Sequence, residues 1–231
     1  HKPKHKLGEF MVDAAIESLK ETEAVLFVVA GNEKRGPGDN FIIEQLKRVK
    51  VPVFLVVNKI DTLQKEQVLE AIVSYQDAYP FAGVIPISAK NKENLSELLN
   101  VLGEHLPEGP QYFPEDMITD QPERLIISDI VREKILLSTR DEIPHAIAVD
   151  VDEMKTRDDG TTYIRATIYC ERDSQKGIII GKKGALLKQL GAEARADIQK
   201  LLATKVYLDL WVKVKKDWRN KSGMLSELGY K

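Results

Sequence analysis

The chain has 231 residues, 43% hydrophobic and 30% charged, the balance of an ordinary globular protein of one large domain or two smaller ones, not of a disordered one. No apolar run approaches the ~18 residues needed to span a bilayer, and no secretory signal opens the chain. Cys170 is the only cysteine, which excludes an intrachain disulfide and fits a reducing cytosol. The four histidines, His1, His5, His105 and His145, do not cluster with carboxylates at metal-ligand spacings. The net charge of −2 conceals an asymmetry. Between Lys176 and Arg219 there are eleven Lys and Arg against four Asp and Glu, a surplus of seven, so the remainder carries nine negative charges. That split points to an anionic partner for the C-terminal part, such as nucleic acid or a membrane surface, although a charge run is more often a solvated face.

In chain order, the basic stretch 1–6 reads as loop and residues 7–22 carry apolar positions at helical spacing. Residues 24–30 form an apolar, β-branched run that predicts a buried strand, followed by a glycine-bearing loop with Gly31, Gly36 and Gly38. A helix is predicted over 41–49, and a second continuous apolar strand over 51–57, buried on both faces. Helix 64–79, strand 84–87 and helix 95–106 complete an alternation that predicts a parallel sheet covered by helices.

Residues 107–122 hold four prolines and several acidic residues without periodicity and read as an interdomain linker. Beyond them come an amphipathic helix (123–138), two strands (145–154 and 161–170) joined by a turn at 156–160, and a glycine-rich run (177–184). A helix (185–202) and an alternating strand (206–214) follow. The order is α-β-β-α-α-β. The expected division is 1–108 for the α/β part, 109–122 for the linker, 123–219 for the α+β part and 220–231 for a C-terminal tail.

Asn58-Lys59-Ile60-Asp61 closes the second strand, where open α/β sheets bind ligands. It resembles the base-reading motif of guanine-nucleotide-binding proteins, and the chemistry suits guanine. An ionised Asp61 only accepts hydrogen bonds, and guanine offers two adjacent donors where adenine presents a lone pair. Leaving a buried polar group unpaired rejects the wrong partner by roughly 10⁴-fold or more. Asn58 holds the loop and the base edge, and the stem of Lys59 covers the ring. Ser88-Ala89-Lys90 follows the third strand and resembles the segment that supports the base in the same proteins, with the Ala89 N–H directed at guanine O6. Its plainer reading is a serine cap and a solvated lysine. No Gly-x-x-x-x-Gly-Lys-Ser/Thr loop and no Asp-x-x-Gly segment occur in the chain, so it is expected to hold a base pocket without a phosphate site and without a catalytic residue.

In the second half, Gly181-Lys182-Lys183-Gly184 is the chemical centre. Two glycines allow close backbone approach, the N–H groups of the next helix start meet phosphate oxygens, and the lysines add charge. Ile178, Ile180 and Leu187 are candidates to wall an apolar groove for bases. The plainer alternative is a glycine-rich connection with solvated lysines. Together with the element order and the local charge, the run resembles a KH domain of the second type, whose Gly-x-x-Gly loop clamps about four nucleotides.

A guanine-nucleotide domain followed by such a KH domain is similar to the Era family of bacterial GTPases. The likeness includes the opening His-Lys-Pro, the segment from Asp141 to His145 and the run from Val212 to Arg219. The family begins with a P-loop, so the chain is similar to an Era protein without its N-terminal part. The resemblance implies an incomplete P-loop-type GTPase domain plus an α+β type II KH domain. It implies a GTPase that binds the 3′ end of 16S rRNA on the small ribosomal subunit and assists 30S maturation. It further implies GTP or GDP as ligand with Mg2+ in the intact protein, a cytoplasmic monomer and loose membrane association. Asn58, Lys59, Asp61, Ser88, Ala89 and Lys90 carry over as guanine contacts. Ile178, Ile180 and Gly181 to Gly184 carry over as RNA contacts, and no residue as a metal ligand. Two competing readings are an RNA chaperone that never hydrolyses GTP and a structural ribosome-associated protein.

Overall fold

The computed structural model describes residues 5–114, 117, 119–140, 143 and 146–229. Residues 1–4 of the loop predicted over 1–6 and the segment from Asp141 to His145, except Ile143, lie outside these residues, and Lys6 already belongs to the first helix. The chain divides into two compact units. Met11–Tyr112 make the first, and His5–Phe10 together with the chain from Phe113 onward make the second.

The first unit carries α1 (Lys6–Ser18, from Met11 on), β1 (Val25–Ala30), α2 (Pro37–Leu46), β2 (Val53–Asn58), α3 (Lys65–Gln76), β3 (Gly83–Pro86) and α4 (Leu95–Gly103). The three strands are parallel in the order β1-β2-β3. The continuous apolar run Val53–Val57 is buried at every position because β2 is the central strand and helices cover both its faces. Val53, Leu55 and Val57 pack with Ile43 and Leu46 of α2 and Tyr75 of α3, whereas Phe54 and Val56 pack with Leu98 of α4.

β1 departs from the predicted burial. Val25, Phe27 and Val29 are buried, but Leu26 and Val28 on the other face are 38% and 54% exposed. α2 begins four residues before its predicted start. Pro37 sits at the first helical position, where its missing N–H costs nothing, and the Asp39 carboxylate accepts the Gly36 N–H at 2.7 Å. Of the apolar residues that predict that helix, Phe41 and Ile42 are exposed, whereas Leu46 is buried and Val49 packs against the core.

The second unit carries α5 (Glu123–Ser138), β4 (Ala148–Thr156), β5 (Thr162–Cys170), α6 (Asp173–Ile180), α7 (Ala185–Leu202), β6 (Val206–Val214) and α8 (Ser222–Glu227). β4 and β5 are antiparallel, and β5 and β6 parallel, with β5 in the centre. One sheet face packs under Ile127, Val131 and Ile135 of α5, Ile179 of α6, and Leu190, Ala194 and Ile198 of α7. β4 shows a bulge between Val151 and Glu153. The bulge shifts the inward set from Val149 and Val151 to Met154, which a strict period of two does not anticipate. The stretch read as a tail carries α8, whose Met224 and Leu225 bury beside Trp218, Ala148 and Leu7. The Trp218 indole N–H donates to the Ala146 carbonyl at 3.1 Å, which satisfies a polar group at 1% exposure.

Candidate base-reading edge and candidate nucleic-acid interface

At the carboxyl end of β2, Asn58 leaves the strand half-buried and Lys59 turns the chain in a left-handed conformation (φ 67°, ψ 31°). A single 3-10 turn, Ile60–Thr62, then brings Asp61 toward β3. The turn is tied down by Ile60 N–H to the Ile87 carbonyl at 3.2 Å and by the Thr62 hydroxyl to the Lys59 carbonyl at 2.8 Å. Ser88 is fully buried, and its hydroxyl donates to Asp61 Oδ1 at 2.6 Å. The same hydroxyl oxygen accepts the Asn91 N–H at 3.1 Å. Asn58 Oδ1 accepts two backbone N–H groups, from Lys59 at 2.7 Å and from Ala89 at 3.0 Å.

The two motifs, about thirty residues apart in sequence, are thus one hydrogen-bonded edge. Its chemistry is an acceptor carboxylate held in place from behind, a backbone N–H beside it and an exposed lysine stem. Here the Ala89 N–H is engaged by Asn58, so a base taking that donor through a carbonyl oxygen shares it or displaces the amide oxygen. Lys90 is exposed, and the Lys59 ammonium lies 3.6 Å from Glu33. Glu33 and Gly31, both in the loop after β1, carry no motif. The Gly31 N–H donates to the Asn58 carbonyl at 2.8 Å. A Cβ at Gly31 would come within 2.9 Å of both Leu63 and Val57 side-chain carbons.

In the second unit, α6 is started by Gln175, a buried side chain whose Oε1 accepts the N–H groups of Glu171 and Arg172 at 2.9 and 3.0 Å. Gly177 and the three isoleucines after it lie inside this helix, not in a loop. The helix stops at Gly181 (φ 75°, ψ 178°), a conformation essentially confined to glycine. A Cβ there would meet Leu186 Cβ at 2.7 Å. Lys183 (φ 52°) and Gly184 (φ 79°) are also left-handed, so three of the four residues of the knuckle have positive φ. Lys182 and Lys183 stand exposed at its tip, and α7 begins directly after it. At an 18-residue helix's start, free N–H groups and the positive dipole end favour a phosphate.

Beside the knuckle is a cleft of about 410 Å³ lined by Gly184, Leu187, Lys188, Gly191, Ala192, Arg195, Leu208 and Leu210. Leu187 is in it as anticipated. Ile178 and Ile180 are not among its lining residues: Ile178 is 52% exposed on α6, and Ile180 packs against the core. Sequence reasoning missed Lys188 and Arg195, one on each side of Gly191 on α7, and the floor from β6. The signal was present as small residues (Gly191, Ala192) between two cations at helical spacing. Gly191 borders the floor, where a Cβ would stand in ordinary contact with Leu210 Cδ1 at 3.4 Å.

Among the described residues, no three His, Cys, Asp or Glu side chains converge as a metal site, and no helix is long and apolar enough to cross a membrane. A parallel α/β unit with a base-reading edge, joined in one chain to an α-β-β-α-α-β unit with a glycine knuckle, defines a G domain followed by a KH domain. Family comparison agrees: residues 9–108 match the elongation factor Tu GTP binding domain and residues 142–219 match the KH domain. The GTPase Era of Ruminiclostridium cellulolyticum is 51% identical over 231 residues, covering 100% of this chain and 78% of that protein. That of Clostridium kluyveri is also 51% identical, over 100% and 79%. The chain belongs to the Era GTPase family.

Two solved structures are similar over 100% of this chain at 40% identity. One is an Aquifex aeolicus Era variant bound to GDP and aluminium fluoride (TM-score 0.93, 79% of that chain covered). The other is Era in complex with MgGDPNP and nucleotides 1506–1542 of 16S ribosomal RNA (TM-score 0.94, 78% covered).

Proposed function

We propose that this protein is a guanine-nucleotide-controlled RNA-binding switch that holds the 3′ end of 16S rRNA and assists maturation of the small ribosomal subunit. The observation that carries the nucleotide half is the Ser88–Asp61 hydrogen bond, which fixes an acceptor carboxylate at the carboxyl edge of a parallel sheet. Asp61 reads the two guanine donors, Asn58 and Ala89 frame the base edge, and the stem of Lys59 lies along the ring, with Lys90 beside it. The ligand is GTP or GDP, and Mg2+ enters with the phosphates. The residues named here bind and orient the nucleotide rather than cut it.

The RNA half uses the Gly181–Gly184 knuckle as a backbone clamp, with Lys182 and Lys183 on phosphates and the cleft between α7 and β6 for bases. Support comes from the knuckle's φ values, the neighbouring Lys188 and Arg195, and the relative that carries a 16S rRNA segment. Ile178 and Ile180 stay in this proposal as side chains flanking the clamp. The domain limits 1–108 and 123–219, monomeric action and peripheral membrane contact belong to the same proposal.

Two measurements test it. Lys182→Ala with Lys183→Ala is expected to lower the log–log salt slope of RNA binding by about one to two; an unchanged slope removes the clamp. Asp61→Asn is expected to lose guanine preference and gain xanthine in the full-length protein. Retained selectivity for GTP over XTP would show that Asp61 does not read the base.

A further inference from the structure

A second cleft of the second unit, about 480 Å³, lies at the far end of α7 from the knuckle, about 27 Å away along an 18-residue helix. Its walls include Glu123 and Arg124 at the start of α5, Met154 of β4, Thr162 of β5, and Leu202 and Thr204 where α7 ends. The volume is that of a small-molecule site.

Two helix ends of opposite sign meet this cleft with backbone groups unsatisfied. α5 starts after Pro122, which makes no side-chain cap, and the N–H groups of Glu123 and Arg124 meet no acceptor among the described residues. At the end of α7, the carbonyls of Lys200, Leu201 and Leu202 accept no hydrogen bond among the described residues. The first end carries partial positive charge and the second partial negative charge.

Thr162 marks a missing partner independently. The even-numbered residues of β5 face the helices, as Ile164 and Ala166 do in the core. Thr162 on that face is 7% exposed and lines the cleft, and its hydroxyl has no hydrogen-bond partner among the described residues. Side chains so deeply buried are nearly always paired. The neighbouring cations are engaged elsewhere: the Arg124 guanidinium donates to the Val151 carbonyl at 3.3 Å, and Glu153 takes the Lys155 ammonium at 2.8 Å. Glu123, exposed at the rim, has no ion pair among the described residues. Met154 and Leu202 are half-buried against the core and supply apolar wall.

We propose that this cleft binds a small zwitterion, a free apolar α-amino acid. Its carboxylate takes the Glu123 and Arg124 N–H groups and the Thr162 hydroxyl. Its ammonium takes the open carbonyls of α7 and the Glu123 carboxylate, and its side chain lies against Met154 and Leu202. A polyanion fits less well, because it would face the negative end of α7 and Glu123 with no cation left to meet it.

The test follows the Glu123 and Arg124 amide signals of the full-length protein, saturated with GDP, by NMR. The titrants are L-leucine, leucinamide, which lacks the carboxylate, and leucic acid, which has a hydroxyl in place of the ammonium. Leucine is expected to shift both signals saturably. Each analogue is expected to bind at least about tenfold more weakly, having lost charge-assisted hydrogen bonds. Thr162→Val should weaken leucine by a similar factor, and Thr162→Ser should restore it. The analogue series needs no variant and decides the matter even if Thr162→Val does not fold. Absence of saturable shifts, an analogue that binds as well as leucine, or a folded Thr162→Val with unchanged affinity overturns the proposal. Displacement of leucine by inorganic phosphate or by a 16S rRNA 3′ strand overturns it as well.

Discussion

Ser88 and Asp61 share a hydrogen bond of 2.6 Å across 27 residues of sequence, and the serine that makes it is wholly buried. The carboxylate is exposed but not free to rotate. In the proposed base-reading role, an acid held by a buried donor presents its lone pairs in one orientation before the ligand arrives, so less ordering is needed on binding. Ser88→Ala removes the donor and also leaves the Asn91 N–H without its acceptor. Hydrogen bonds to charged groups contribute about 1.5–3 kcal/mol, so GDP affinity of the full-length protein is expected to fall about 10- to 100-fold. Equilibrium titration with a fluorescent GDP analogue checks this, and an unaltered Kd would mean that Asp61 needs no orienting partner.

The two glycines of the knuckle make opposite demands. At Gly181 any side chain meets both a forbidden φ, ψ and the Leu186 backbone N at 2.9 Å. At Gly184 the backbone is ordinary left-handed and nothing lies within 4 Å of an added Cβ. Gly184→Asn is therefore expected to cost no more than about 1 kcal/mol, since asparagine tolerates that region, and Gly181→Ala about 1–3 kcal/mol or more. Urea denaturation of the two variants measures the difference directly.

Lys134 of α5 bridges Asp197 of α7 at 2.7 Å, and Lys200 approaches the same carboxylate at 2.9 Å. Hydrogen bonds from Lys134 and then Lys200 hold the Asp197 carboxyl at about 2, against ~3.9 in an unfolded chain. The native state thus binds this proton less readily than the unfolded state. The stabilisation is fully present above about pH 4 and disappears as pH falls toward 2. In Asp197→Asn that portion of the acid dependence is expected to vanish, with the two stability curves converging at the acid end. Denaturant midpoints taken between pH 2 and 5 test the sign; parallel curves would exclude the linkage.

Much of the architecture is legible in the residues, and the parts that are not have common causes. Ala185–Leu202 and Val206–Val214 match their predicted spans closely because each has a period that only one element satisfies, and Val53–Val57 is readable as a β-branched apolar run too short for a buried helix. The bulge in β4 is invisible because an extra residue in a strand looks like a lapse in alternation. The helical placement of Gly177 is hidden because glycines on either side of three isoleucines read as a loop, whereas Gln175 capping from within decides for helix. At the base-reading edge, the identities of Asn58, Asp61, Ser88 and Ala89 are readable, but the bond pattern that joins them depends on β2 and β3 being neighbours. The cleft residues Lys188 and Arg195 have no motif of their own and become meaningful only once β6 lies beside α7.

The parallel pairing of β5 with β6 has a consequence for biosynthesis. Thr162 pairs with Val206, and everything between the two strands, including α6, the knuckle and most of α7, is a crossover that closes only when β6 arrives. Such non-local pairing forms late, since loop-closure entropy is lost before contacts repay it. A nascent chain that has exposed the complete Gly-Lys-Lys-Gly segment therefore has no groove floor until Val214 has left the exit tunnel. The cleft beside the knuckle therefore exists only once β6 is complete, so on the proposed reading an unfinished chain would present the Gly-Lys-Lys-Gly segment without a surface able to hold RNA.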